Sequence, residues 1–180
     1  VLDGGGLQIK DGGAGTDTSA KLFTLGTGGG TIQIGNLQVP GNNTRRNDFT
    51  GTGPLAFLGS GNRTLKLETA VMLAYGFSPA IGDVPGGVTS VIMGGTPGAG
   101  GAWALDGTNT YTGTTTINGG SLCIRKQQSL NGGVAYFITN NITVGSGACL
   151  AAGVGASPTY FDAAAIATIL DGAHLGGSSA

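Results

Sequence analysis

The sequence predicts an all-β chain of short stacked strands with one short alanine-rich helix near the C-terminus, and three observations carry that reading. Residues 105–124, LDGTNTYTGTTTINGGSLCI, set brief alternating runs between Asp-Gly, Thr-Gly and Asn-Gly-Gly punctuation, which is strand and turn chemistry at very short intervals. Glycine reaches 38 of 180 residues, yet the glycines interrupt clean apolar runs and do not form tracts, so they read as corners of a folded chain. Charged residues make up only 9%, against about 25% in ordinary globular proteins. Thr, Asn, Ser and Gln must therefore supply most of the exposed polar groups.

Each element follows from the same pattern. Residues 7–9, 22–25, 31–34, 65–67, 88–92, 122–124 and 141–144 are apolar or alternating runs of strand length. In the first 70 residues the corners fall at 4–6, 12–15, 26–30, 51–53 and 59–61, and their unequal spacing predicts coils of unequal length. Residues 42–48, NNTRRND, lie between Pro40 and Pro54 and are expected in a protruding loop. Residues 69–82, TAVMLAYGFSPAIG, are apolar without strict alternation and fit either a short helix or a buried strand. Residues 157–170, SPTYFDAAAIATIL, predict the helix. Ser157 before Pro158, or Asp162 itself, is the N-cap, Asp171-Gly172 the stop, and Ala163, Ile166, Ala167 and Leu170 the packed face.

The middle of the chain carries a recognisable register. Gly107, Asn109, Tyr111, Gly113, Thr115, Ile117, Gly120 and Leu122 follow the order Gly-x-Asn-x-Tyr-x-Gly-x-Thr-x-Ile-x-x-Gly-x-Leu, extended more loosely through residues 141–150. This resembles the autotransporter-associated β-strand repeat, also called the passenger-associated transport repeat, of bacterial surface proteins. The resemblance covers about a quarter of the chain closely. It implies an irregular parallel β-solenoid, a right-handed β-helix, exported to the cell exterior or bacterial cell surface, without implying an activity. One solenoid domain over 1–180 is expected, with the repeat at 103–155 and the helix at 157–170 as an excursion from it. At about 4.8 Å per stacked strand and about 20–30 residues per coil, the chain would make about six to nine coils, a rod about 30–45 Å long. The abrupt start at Val1-Leu2 and the Gly-Gly-Ser-Ser-Ala tail suggest a piece of a longer chain or of an assembly.

Candidate sites are few. Cys123 and Cys149 each sit beside an inward leucine, so strand alternation turns both sulfurs outward. They are about one coil apart, which leaves a disulfide and two unpaired thiols both open. The family resembled is cysteine-poor, and this pair departs from it. Residues 12–20 match the glycine and aspartate positions of a calcium-binding nonapeptide, but Ser19 stands where a large apolar residue belongs and no tandem copy follows, so a glycine corner is favoured. Asn42, Asn62 and Asn141 open Asn-x-Thr sequons, possible glycosylation sites in a source that modifies them. His174, the only histidine, lies in a Gly/Ala-rich tail near Asp171 and reads as a surface residue. The nine acidic residues are scattered, most in turn contexts such as Asp106-Gly107. Trp103, Tyr111, Tyr136, Phe137, Tyr160 and Phe161 could form a sugar-stacking stripe, although structural use is favoured.

Net charge is −1 and the largest basic cluster is Arg45-Arg46, which excludes the broad basic face that nucleic acid needs. No apolar run approaches the roughly 18 residues that span a bilayer. The expectation is a non-catalytic, extracellular structural solenoid of a stalk, layer or filament, needing no cofactor or metal. Its partners would be identical subunits or a continuation of the same polypeptide. An adhesin segment binding glycans is the alternative, and a carbohydrate-active β-helix is less favoured.

Overall fold

The computed structural model describes residues 1–9, 15–35, 45–69, 74–95, 101–138, 140–155 and 159–172. Parallel pairing alone joins its strands into a β-solenoid, and two sheets of six strands run its length. The first sheet contains β1 (Gly6–Ile9), β4 (Gly30–Ile34), β7 (Arg63–Thr69), β9 (Thr89–Gly95), β11 (Thr115–Ile117) and β13 (Ile142–Val144), stacked in that order. The second contains β2 (Gly15–Ser19), β5 (Arg45–Phe49), β8 (Ala74–Phe77), β10 (Ala102–Leu105), β12 (Ser121–Ile124) and β14 (Cys149–Ala152). A third side holds the two-stranded pair β3 (Thr24–Leu25) and β6 (Ala56–Phe57), then turns, two 3₁₀ turns and the helix α1 (Ala163–Gly172). One strand from each long sheet makes a rung. Six rungs at about 4.8 Å give a stack of about 24 Å between its outer strands, shorter than the rod expected from the sequence.

Two-residue alternation builds the core. In the first sheet Leu7, Ile32, Leu67, Met93, Ile117 and Val144 form one inward column, and the four between Leu7 and Val144 are fully buried. In the second sheet Phe49, Phe77, Leu105, Ile124 and Ala152 form another, beside the column of Tyr75, Trp103, Leu122 and Leu150. Each fully buried side chain of this size stabilises by about 1.5–3 kcal/mol relative to exposure. The aromatic members touch one another: the Trp103 ring centroid lies 5.5 Å from Tyr75 and 6.3 Å from Phe77.

Coil lengths are unequal, as the corner spacing predicts. The first-sheet register advances 25 residues from Gly6 to Thr31 but 35 from Gly30 to Leu65. The second-sheet register advances 28 from Tyr75 to Trp103 and only 19 from Trp103 to Leu122. The longer coils carry their extra length in turns that side chains must close. Arg63 does this where β6 returns to β7. It is 4% exposed, and its guanidinium donates to the carbonyl oxygens of Leu25 (2.9 Å), Leu58 (3.3 Å), Gly59 (3.1 Å) and Gly61 (3.2 Å), with the Phe57 ring 5.1 Å beneath it.

Two expectations are corrected, the loop at 42–48 and the packed face of the helix, and two open choices are decided. The loop placed at 42–48 is, where described, strand β5: residues 45–48 pair with β2, and Asn47 is buried. Its polar sequence conceals the strand because Phe49, stacked on Phe77, anchors the segment from one end. Residues 74–77 form strand β8, buried from Tyr75 to Phe77, so the strand is the one of the two readings that holds there. The helix begins at Ala163, where Asp162 Oδ1 accepts from the Ala165 backbone N–H at 2.8 Å and acts as the N-cap. Its packed face is Ala165, Ile166 and Ile169, whereas Leu170, expected inside, is 75% exposed. Leu7, on the edge strand β1, and Leu22, before β3, are also exposed.

Candidate functional site

The residues of the repeat-like register come together as a stacking device. Asn109 is 3% exposed in the turn after β10. Its Oδ1 accepts from the Ile81 N–H of the preceding coil at 2.8 Å, and its Nδ2 donates to the Ser129 carbonyl of the following coil at 2.8 Å. One side chain thus clamps three successive coils where no strand ladder runs. Tyr111 is fully buried against Tyr136, with ring centroids 6.0 Å apart, and its hydroxyl meets Thr115 Oγ1 at 2.7 Å. The Tyr136 hydroxyl donates to the Gly113 carbonyl. Burial pushes both phenols up, partly opposed by the hydrogen bond to Thr115.

The register's glycines are dictated by close backbone approach. A Cβ at Gly107 would stand 2.4 Å from the Pro79 carbonyl oxygen, and one at Gly113 would stand 2.3 Å from that of Thr89. Gly120 combines a similar approach to Gly101 with φ of +68°, a conformation that a side chain strains. Ile117 and Leu122 are fully buried. All eight residues of the register therefore have a packing or hydrogen-bonding role between coils.

Several carboxylates act in the same way. Asp3 Oδ1 accepts from the Gly28 N–H at 2.6 Å, and Asp48 Oδ1 from the Gly76 N–H at 2.6 Å. Asp83 accepts from the Thr89 N–H at 2.7 Å through Oδ1 and from the Thr112 N–H and hydroxyl at 2.9 and 2.6 Å through Oδ2. The acidic residues are less scattered in space than in sequence. Asp48 Oδ1 and Asp106 Oδ2 lie 3.2 and 3.5 Å from the point where a Gly76 Cβ would stand. Arg125 pairs with Asp106 at 3.2 Å, and Lys126 Nζ donates to the Asp106 carbonyl at 3.5 Å. Sequence reading missed this charged cluster because it depends on the short 19-residue coil that brings Arg125 beside Asp106.

The cysteines lie on neighbouring strands of the second sheet but do not face each other. Cys123 pairs in register with Ala151, and Cys149 with Ser121, so a two-residue offset separates them. With about 4.8 Å between strands and about 3.3 Å per residue, their Cα atoms are about 8 Å apart, beyond a disulfide's reach of about 7 Å. Both thiols are free, and of the two alternatives left open the geometry corresponds to unpaired thiols. Burial pushes the Cys123 thiol up, with Arg125 partly opposing.

The aromatic residues considered for sugar stacking are mostly interior: Trp103, Tyr111, Tyr136, Phe137 and Phe161 are buried, and Tyr160 alone is exposed, at 38%. Trp103 Nε1 donates to the Glu68 carbonyl at 3.1 Å. Among the sequons, Asn62 is exposed but its Oδ1 accepts from the Val88 N–H at 3.0 Å, and Asn141 is half-buried. Asn42, His174 and residues 12–14 of the nonapeptide-like segment lie outside the described residues. Among the described residues no group of three or more His, Cys, Asp or Glu is placed to hold a metal ion, and no helix is long and apolar enough to cross a membrane. A shallow pocket of about 370 Å³ opens where Thr108 and Asn109 meet Gln127, Gln128, Leu130, Gly132 and Gly133.

No family model, curated protein or solved structure matches this chain. The resemblance to the autotransporter-associated repeat rests on the register residues alone, and the fold stands on the strand pairing.

Proposed function

We propose that the chain is a structural, non-catalytic segment of an extracellular β-solenoid assembly, related to the autotransporter-associated repeat proteins of bacterial surfaces. The observation that carries this reading is the occupation of the entire register, from Gly107 to Leu122, in joining one coil to the next. Several acidic side chains have the same employment, capping N–H groups of adjacent coils. A chain whose polar side chains fasten its own turns is suited to extending a rod. Joining to identical subunits, or to more of the same polypeptide, would continue both sheets past their end strands. Electron microscopy of the native particle that carries this chain tests the reading: rods, stalks or an ordered layer are expected, whereas an isolated globular particle overturns it.

A second reading, a segment that binds surface glycans, is favoured by the neutral pocket at Thr108, Gln127 and Gln128, whose amide and hydroxyl groups suit sugar hydroxyls. Retention on a glycan array, lost on Gln128→Ala, would support it. Release of reducing ends from a polysaccharide panel would favour a carbohydrate-active enzyme over both.

A further inference from the structure

Two buried polar atoms without hydrogen-bond partners belong to residues stacked directly on one another. Arg63 opens β7 and Thr89 opens β9, and the two are in-register neighbours of the parallel ladder. Both begin the alternation that buries Leu65, Leu67, Val91 and Met93, so both side chains turn inward, where Arg63 is 4% and Thr89 0% exposed. The guanidinium commits its terminal nitrogens to the carbonyl oxygens of Leu25, Leu58, Gly59 and Gly61. Its Nε–H and the Thr89 hydroxyl make no hydrogen bond, not even to each other.

The backbone holds the two residues in this relation. The Arg63 N–H donates to the Val88 carbonyl at 2.9 Å, the Val88 N–H donates to Asn62 Oδ1 at 3.0 Å, and the Thr89 N–H donates to Asp83 Oδ1 at 2.7 Å. Neither residue can slide toward the other without breaking these bonds. Stacked positions lie about 4.8 Å apart, too wide for a direct hydrogen bond and about the span of one water that bridges two polar atoms. Buried polar groups left unmatched are costly, and internal waters characteristically satisfy them. An anion suits the place less well. Four carbonyl oxygens already turn their negative ends to the guanidinium, and the Phe57 ring lies 5.1 Å from it. A negative charge at Nε would be repelled by those oxygens, whereas a neutral water would not.

We propose that the Arg63–Thr89 corner is a binding site for one internal water, which accepts from Arg63 Nε–H and donates to Thr89 Oγ1. The bridge extends the Arg63 fastener to a third coil. Through its terminal nitrogens Arg63 reaches back to Leu25 and across its own turn, and through the water it reaches forward to Thr89. It is then the hydrated counterpart of the Asn109 clamp, and it holds whatever the solenoid itself is joined to.

Thr89→Val, which keeps the shape of the side chain, tests the site by urea unfolding followed through Trp103 fluorescence. With a water in place, valine removes the hydroxyl that anchors it and strands the Nε–H, so the folding equilibrium constant should fall about tenfold. With a dry corner, valine only takes an unmatched hydroxyl out of the core, and an equilibrium constant that stays level or rises overturns the inference. A high-resolution crystal structure of the unmodified chain, grown in bromide, is a second measurement that stands if Thr89→Val does not fold. It should show one peak without anomalous signal, about 2.7–3.2 Å from both Arg63 Nε and Thr89 Oγ1. A direct hydrogen bond between those atoms, empty density between them, or an anomalous bromide peak overturns the inference.

Discussion

Asn109 offers the sharpest test of how the coils are fastened. Replacing it by alanine removes two hydrogen bonds of 2.8 Å and leaves the Ile81 N–H and the Ser129 carbonyl facing a site that is 3% exposed. A net hydrogen bond contributes about 1 kcal/mol, and each buried group left unsatisfied costs about 1–3 kcal/mol, so Asn109→Ala should destabilise by about 2–4 kcal/mol. Asn109→Asp should be at least as severe, because a carboxylate can accept from Ile81 but turns an oxygen toward the Ser129 carbonyl. Urea unfolding followed by the fluorescence of fully buried Trp103 reads both as a lower midpoint at unchanged slope. Thr108→Ala, one residue away and exposed, is the control, expected to change stability by less than about 0.5 kcal/mol. An Asn109→Ala variant within about 0.5 kcal/mol of the parent would refute the clamp.

Three further outcomes are expected. Gly113→Ala should destabilise the fold, because its Cβ meets the Thr89 carbonyl oxygen at 2.3 Å and backbone on both sides must shift; a thermal melt measures the loss. Alkylation followed by mass spectrometry should modify Cys149 first and find no Cys123–Cys149 linked peptide under non-reducing digestion. Since burial raises the Cys123 thiol, its thiolate forms only at higher pH, so its rate should climb later along the pH axis than that of a free cysteine peptide and converge with it in denaturant. Asp162→Ala should cost about 1 kcal/mol at the start of α1, visible as faster amide exchange at Ala165 while the β-sheet amides stay protected.

Elements whose local pattern agrees with their burial were legible in the sequence. Leu65 and Leu67, Ile32 and Ile34, and Leu122 and Ile124 alternate with polar neighbours and are inward in the structure. The register from Gly107 to Leu122 was legible for a related reason, since spacing fixes each residue's place in the turn. Strands β2 and β5, GTDTS and RRNDF, were hidden because neither alternates apolar with polar side chains; pairing with each other and with β8 makes them strands. The Asp106–Arg125 pair and the cysteine offset depend on register, and coils of 19 to 35 residues give no fixed period from which to count it. The inward face of α1 was misjudged because an alanine-rich helix carries little contrast between its sides. In the structure Ala165 and Ile169 join the same core cluster as Phe137 and Phe161.

The fasteners deepest in the stack are single side chains that each hold several backbone groups at once. Arg63 holds four carbonyl oxygens with one planar guanidinium, and Asn109 joins three coils with an amide that does not titrate. The tyrosine hydroxyls beside them are pushed further from ionisation by burial. Carboxylate clips such as Asp3 and Asp83 lie on the outer turns, where water reaches them. Water therefore meets the corner clips before it meets the inner joints.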